Sequence, residues 1–204
     1  MNFSLYNMEI YFATTNQGKV QSLQRDLGKY DISVVQHPVD LIEPRSSDVQ
    51  EIAKSKVNQA YSIIRKPTVV IDAGFYIHSL NGFPRTFVNF ALETIGIEGI
   101  LKLCEGKERN CEFQHCLAYM DKSLESPRYF SYEVKGNLSF NPKGVMQKHL
   151  WSKLSLIFIP KESNKTLAEM NPEEFLEWRK INYKGSSHYK NFIDWFLEHN
   201  SKVD

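Results

Sequence analysis

Residues 8–28 read MEIYFATTNQGKVQSLQRDLG, and they decide the fold. Met8–Thr14 is a β-rich run and reads as a strand. Thr15-Asn16-Gln17-Gly18 has turn composition. Val20, Leu23 and Leu27 then recur at helical spacing, and Gly28 is a stop signal. The chain therefore opens strand–loop–helix. Working outward, Ile32–Val35 reads as a second strand. Val49–Ile64 reads as a helix, with Ser47 or Asp48 as N-cap and Pro67 just beyond its end. Thr68–Ile71 (TVVI) is a β-branched apolar run, expected to be a buried strand that ends on Asp72.

Beyond these units, Phe87–Cys104 reads as helix in two pieces, broken at Gly96 or Gly99. Cys111–Asp121 and Arg128–Val134 read as strands joined by a polar turn at Lys122–Pro127. Leu154–Pro160 reads as another buried strand, and Asn171–Arg179 and Ser187–His199 as terminal helices. Strand–helix alternation followed by hairpin strands implies an α/β fold with a mixed sheet. We expect a single domain over residues 1–204, with a smaller second lobe at roughly 108–160 and a ligand cleft between the lobes.

Composition narrows the function. The 42% hydrophobic and 13% aromatic content supplies a core, which excludes disorder. The net charge of +1 gives no global basic field, so nucleic acid is not an expected partner. No apolar run approaches the roughly 20 residues that cross a bilayer, so no membrane role is expected. Cys104, Cys111 and Cys116 are odd in number and lack CxxC spacing, which suits reduced thiols in a cytoplasmic protein. Strand alternation puts Cys111 and His115 on one face and Cys116 on the other, which argues against a metal there.

Four places can carry chemistry. Thr14, Thr15, Asn16 and Lys19 sit between the first strand and the first helix. Backbone N–H groups, the helix dipole and a lysine favour an anion there. The bland reading is a turn with a solvated lysine, and the GxxxxGK[ST] pattern is absent. Asp72, after a buried strand, could bind Mg²⁺ or take a proton from water, or could be a turn aspartate. Glu43 alone is a surface residue, but paired with a second carboxylate it could hold Mg²⁺. Lys56 is either solvated or turned to a phosphate. Ser187 and His188 could contact a base or phosphate, or serve as capping and structural residues.

These segments occur in a familiar order. Thr14–Lys19 resembles the [S/T]xNxxK motif of the inosine triphosphate pyrophosphatase family. Val69–Phe75 followed by Leu80–Pro84 resembles its strand–acid–turn segment. Glu98-Gly99 falls within a matching helical stretch. Ile157–Pro160 with Lys165–Met170 resembles its IFxP…TxAEM segment, and Ser187-His188 sits where the family has SHR. The resemblance runs from about residue 9 to 197.

It implies an elongated mixed sheet with flanking helices around a central nucleotide cleft. It further implies a homodimer and Mg²⁺-dependent hydrolysis of nucleoside triphosphates, deaminated purines above all, to monophosphate and pyrophosphate; the aromatic-rich Phe83–Phe90 segment is our own expectation for the dimer interface. By position, Thr14, Asn16 and Lys19 would hold the triphosphate and Lys56 would touch it. Glu43 and Asp72 would hold Mg²⁺, and Asp72 would position or deprotonate the water. Ser187 and His188 would line the base pocket.

Three departures stand out. Ile71 replaces a second acid. Lys153–Leu156 aligns with the family's GWDP, and Trp151 would take over there only if the loop shifts. Tyr189 replaces the arginine of SHR, with Lys184 or Lys190 as partial substitutes. Altered base selectivity is one reading. A catalytically degenerate nucleotide-binding or interaction protein on the same fold is the alternative.

Overall fold

The computed structural model describes residues 8–183 and 187–201, except for the side chains of Tyr183 and Ser201. A seven-stranded mixed sheet runs through it. β1 (Met8–Phe12) lies parallel to both β2 (Ile32–Gln36) and β3 (Thr68–Ile77). β5 (Asn110–Met120) pairs antiparallel with β3 and with β6 (Arg128–Leu138), and β6 with β7 (Phe158–Pro160). The short β4 (Pro84–Arg85) joins β3 by the turn at Asn81-Gly82, where Gly82 takes φ +86°, a conformation that favours glycine. The strand order is β2-β1-β3-β5-β6-β7, with β4 beside β3.

Among the described residues six α-helices flank the sheet: α1 (Gln17–Leu27), α2 (Val49–Ile64), α3 (Val88–Thr94), α4 (Gly96–Leu103), α5 (Pro172–Tyr183) and α6 (His188–Ser201). The break between α3 and α4 falls at Ile95, and α4 starts at Gly96, where φ is +67°. The apolar spacing in α2 has a direct result: Ala53, Val57 and Ala60 pack on Val70, Cys116 and Ala118 across one face of the sheet. On the other face Leu23 and Leu27 of α1 and Phe192 and Phe196 of α6 cover Ile10, Phe12, Ile71 and Leu117. A third cluster, around Phe75, Ile100, Leu138 and Phe158, fills the far end of the long strands.

Two expectations need correction. Leu154–Pro160 is not one strand: a 3-10 turn covers Lys153–Leu156 and only Phe158–Pro160 pairs with β6. The Ser152 hydroxyl accepts from Leu154 N–H at 3.2 Å and starts that turn. Asp72 does not end a strand either. It sits inside the ten-residue β3, opposite Cys116 of β5. Gly74, two residues on, is buried and pairs with Gln114 of β5, so the strand continues where composition suggests a turn.

Candidate active site

The site lies where β1 leaves the sheet. β1 pairs with β3 only at Tyr11–Thr68 and Phe12–Val69, while β4 joins the same edge at Phe75 and Tyr76. Between them β3 has no strand on that edge. Lys19 fills the gap: its Nζ donates to Ile71 O at 3.0 Å. The loop before α1 is tied down locally. Asn16 caps the helix by accepting from Lys19 N–H at 3.1 Å, and the Thr14 hydroxyl accepts from Asn16 N–H at 3.1 Å. Thr15 is exposed at the tip.

Alternation along β3 turns Asp72 to the α2 side of the sheet. There Lys56 Nζ donates to Asp72 Oδ1 at 3.0 Å and to Glu43 Oε1 at 2.6 Å. Glu43 stands in the loop 37–47. Gln59 of α2 holds that loop by bonding Ile42 N–H and Ile42 O, and the Tyr76 hydroxyl holds it by donating to Ser47 O. Two acids 29 residues apart thus converge on one ammonium.

Electrostatics follow from this crowding. Burial brings the Lys19 pKa down to about 8; Asp72 pulls it back up and Lys56 pushes it further down. Burial also works against a charged Lys56, but Asp72 and Glu43 outweigh it and raise the pKa. The carboxylate pair offers hard oxygen donors at one point. That fits Mg²⁺, which takes one or two carboxylates and completes its shell with phosphate and water. Among the described residues no group of three or more His, Cys, Asp or Glu could form an all-protein cage.

Next to the α1 turn lies an aromatic cavity. It is lined by Phe113, Phe158, Phe175, Trp151 and Trp178, with His115, His149 and Arg179 among the polar members. A Cβ at Gly18 would stand 3.2 Å from the Trp151 indole, so glycine there lets the tryptophan approach the loop. Residues 153–156 wind into the 3-10 turn, and Trp151, just before it, lines the cavity.

The C-terminal motif follows the capping and structural reading, not the base-pocket one. Ser187 caps α6, accepting from Lys190 N–H at 3.0 Å, and is absent from the cavity lining. His188 is fully buried behind the wall and stacks on His115, ring centroids 5.1 Å apart. Tyr189 is buried in the core, its hydroxyl 3.5 Å from Lys19 O, so it presents no base-reading group. Lys190 pairs with Asp194 on α6 and does not replace the missing arginine. Lys184 lies outside the described residues. Sequence reasoning missed Arg179 and His149. It weighed His115 only as a metal ligand. The one signal was a histidine on the strand face that also carries Phe113 and Leu117.

A helix N-terminus with a lysine, two converging carboxylates with a second lysine, and an adjoining aromatic cavity define an α/β protein suited to a polyphosphate carrying an aromatic group. The chain belongs to the Ham1 family, whose model matches residues 10–180. It is 33% identical over 192 residues to the dITP/XTP pyrophosphatase of Methanopyrus kandleri, covering 87% of this chain and all of that protein. The dITP/XTP pyrophosphatase of Pyrococcus horikoshii is 32% identical with the same coverage. The Coxiella burnetii HAM1 protein superposes with a TM-score of 0.79 at 22% identity, over 94% of this chain and 99% of that one. The Staphylococcus aureus Ham1 protein does so with 0.73 at 23%, over the same shares. These two structures establish the fold.

Proposed function

We propose that the chain is a nucleoside triphosphate pyrophosphatase that releases monophosphate and pyrophosphate. The observation that carries this is the gathering of Glu43 and Asp72 on Lys56, beside the N-terminus of α1 and Lys19. In this reading the phosphate chain lies against the first turn of α1. Lys19, Lys56 and the Thr14–Asn16 loop offset and orient its charge. Asp72 orients a water toward the α-phosphorus. The new P–O bond forms as the bond to the β-phosphate oxygen breaks, and the water proton passes to Asp72 or solvent. Mg²⁺, held by Glu43 and Asp72, supplies charge neutralisation on the phosphates.

The relatives named dITP/XTP pyrophosphatase support a deaminated purine as the base, and the aromatic cavity beside Trp151 gives it a stacking place. Base selectivity is altered relative to enzymes that use an SHR arginine, because Tyr189 is in the core. The cleft lies within one domain. Its sheet is shared by the 108–160 segment and the N-terminal strands, and that segment supplies the far lobe. A cytoplasmic setting suits the three free, buried cysteines. A homodimer is supported by the exposed Phe87 and Phe90 at α3.

The test is pyrophosphate release from inosine, xanthosine, guanosine, adenosine and pyrimidine triphosphates, with and without Mg²⁺. Metal-dependent release is expected, led by the deaminated purines. Asp72→Asn should lower the rate by about 10²- to 10⁴-fold while leaving the thermal midpoint in place. Absence of release from folded wild-type protein above the Asp72→Asn level would overturn the reading in favour of nucleotide binding without catalysis.

A further inference from the structure

The aromatic cavity has an unusual polar edge. His115 is 7% exposed, and its Nδ1 is buried without a hydrogen-bond partner among the described residues. The Nε2 of His149, in the same wall, is likewise buried and unpartnered. An unmet buried polar group is costly to desolvate, so two in one cavity point to a ligand that completes them. Burial holds both imidazoles uncharged at neutral pH. Each neutral ring then offers one donor and one acceptor.

The third polar member carries charge. Arg179, on α5, is 9% exposed. Its Nη1 donates to the Ser22 hydroxyl at 3.2 Å, one turn beyond Lys19 on α1. That anchor fixes the guanidinium between α1 and the cavity. Arg179 and His115 line the same cavity, and His188 stacks behind His115. A flat heteroaromatic ring suits the aromatic walls. A guanidinium only donates, so it favours a ring whose edge bears a carbonyl over one bearing an amino group.

We propose that Arg179, with His115, is the specificity-determining pair for the nucleobase, selecting a carbonyl edge from α5 where the Tyr189 position supplies nothing. This rests on the pyrophosphatase reading for the identity of the ligand. A site built to hydrogen-bond a substrate group rejects the analogue that leaves its polar groups unpaired. Adenine, with an amino group in place of the carbonyl, is that analogue.

The experiment measures equilibrium binding of inosine triphosphate, adenosine triphosphate and inorganic tripolyphosphate without divalent metal, followed by tryptophan emission. Wild-type protein should bind inosine triphosphate at least about tenfold more tightly than adenosine triphosphate. Arg179→Met should weaken inosine triphosphate by about 10- to 100-fold, the range of a hydrogen bond to a charged group. Adenosine triphosphate should change little and tripolyphosphate not at all.

Equal affinity of the wild type for both nucleotides would overturn the proposal. So would a parallel loss for tripolyphosphate, which would make Arg179 a phosphate or folding residue. If Arg179→Met fails to fold, Arg179→Lys and His115→Phe carry the same comparison, each expected to narrow the preference between the two nucleotides. The two readings separate cleanly. Preserved base discrimination without pyrophosphate release would sink the hydrolase and leave this inference standing. Release without discrimination would do the reverse.

Discussion

Lys56 holds the place a cation would take. Its ammonium lies 2.6 Å from Glu43 and 3.0 Å from Asp72. A divalent ion entering between those acids must displace it toward the phosphates. Lys56→Met should therefore tighten binding of Mn²⁺ to the nucleotide-free protein by about tenfold, ~1.4 kcal/mol, while weakening tripolyphosphate. Electron paramagnetic resonance of Mn²⁺ reads this directly, and unchanged Mn²⁺ affinity would refute the stand-in role.

Lys19 gives a second prediction at the same scale. With a pKa of about 8 it is an ammonium below that pH and neutral above it. The value of kcat/KM should fall as pH rises through 8, approaching tenfold per unit. Lys19→Arg keeps the charge and should remove that limb. These positions stood out in the sequence through the resemblance to the family's motifs, since a lysine after a strand–turn or an acid after a β-branched run can equally be a solvated or turn residue. Arg179 and His115 did not. Their roles depend on α5 and β5 meeting Trp151 across about 30 to 40 residues of intervening chain, a proximity that no local pattern encodes.

Among the elements, legibility tracked local signals. α2 shows its full length in sequence, since apolar spacing, the Asp48 cap and Pro67 all agree. β3 is longer than its apolar run because β5 pairs with it along every residue from Thr68 to Ile77, carrying it through Asp72-Ala73-Gly74. That pairing partner is distant in sequence and overrides local turn composition. β7 is short because the chain before it winds into a 3-10 turn. Its contact with β6 is correspondingly tight: a Cβ at Gly136 would lie 2.3 Å from Ile159 O and 2.7 Å from the Phe158 ring. Gly136→Ala should cost about 2–3 kcal/mol, because backbone must move to admit the methyl group. Urea denaturation checks it. Gly106→Ala, where nothing lies within 4 Å but φ is +68°, should cost only about 1 kcal/mol.

At the scale of the whole molecule, the long strands β3, β5 and β6 tie two apolar clusters into one sheet, and the stacked His115–His188 pair sits near where those clusters approach each other. Burial lowers the His115 pKa to about 3, with Lys19 adding to the effect, and lowers His188 well below its usual range. In the unfolded chain both titrate near 6.5. Above that pH neither state binds these protons, so stability is unaffected. As pH falls below 6.5 the unfolded chain takes up two protons that the folded one refuses, so stability declines. The slope is about 1.4 kcal/mol per pH unit for each histidine, down to the folded pKa values. Between pH 6 and 5 few carboxylates titrate, so the histidines dominate that window. The urea midpoint should drop steadily there. Burial lowers His149 as well and adds to the slope, so His115→Phe, which keeps an aromatic ring beside Phe113 and His188, should remove about a third to a half of it. A slope unchanged by the substitution would mean that protonation elsewhere governs acid unfolding, and that the buried pair is already charged or opens to water before the fold is lost.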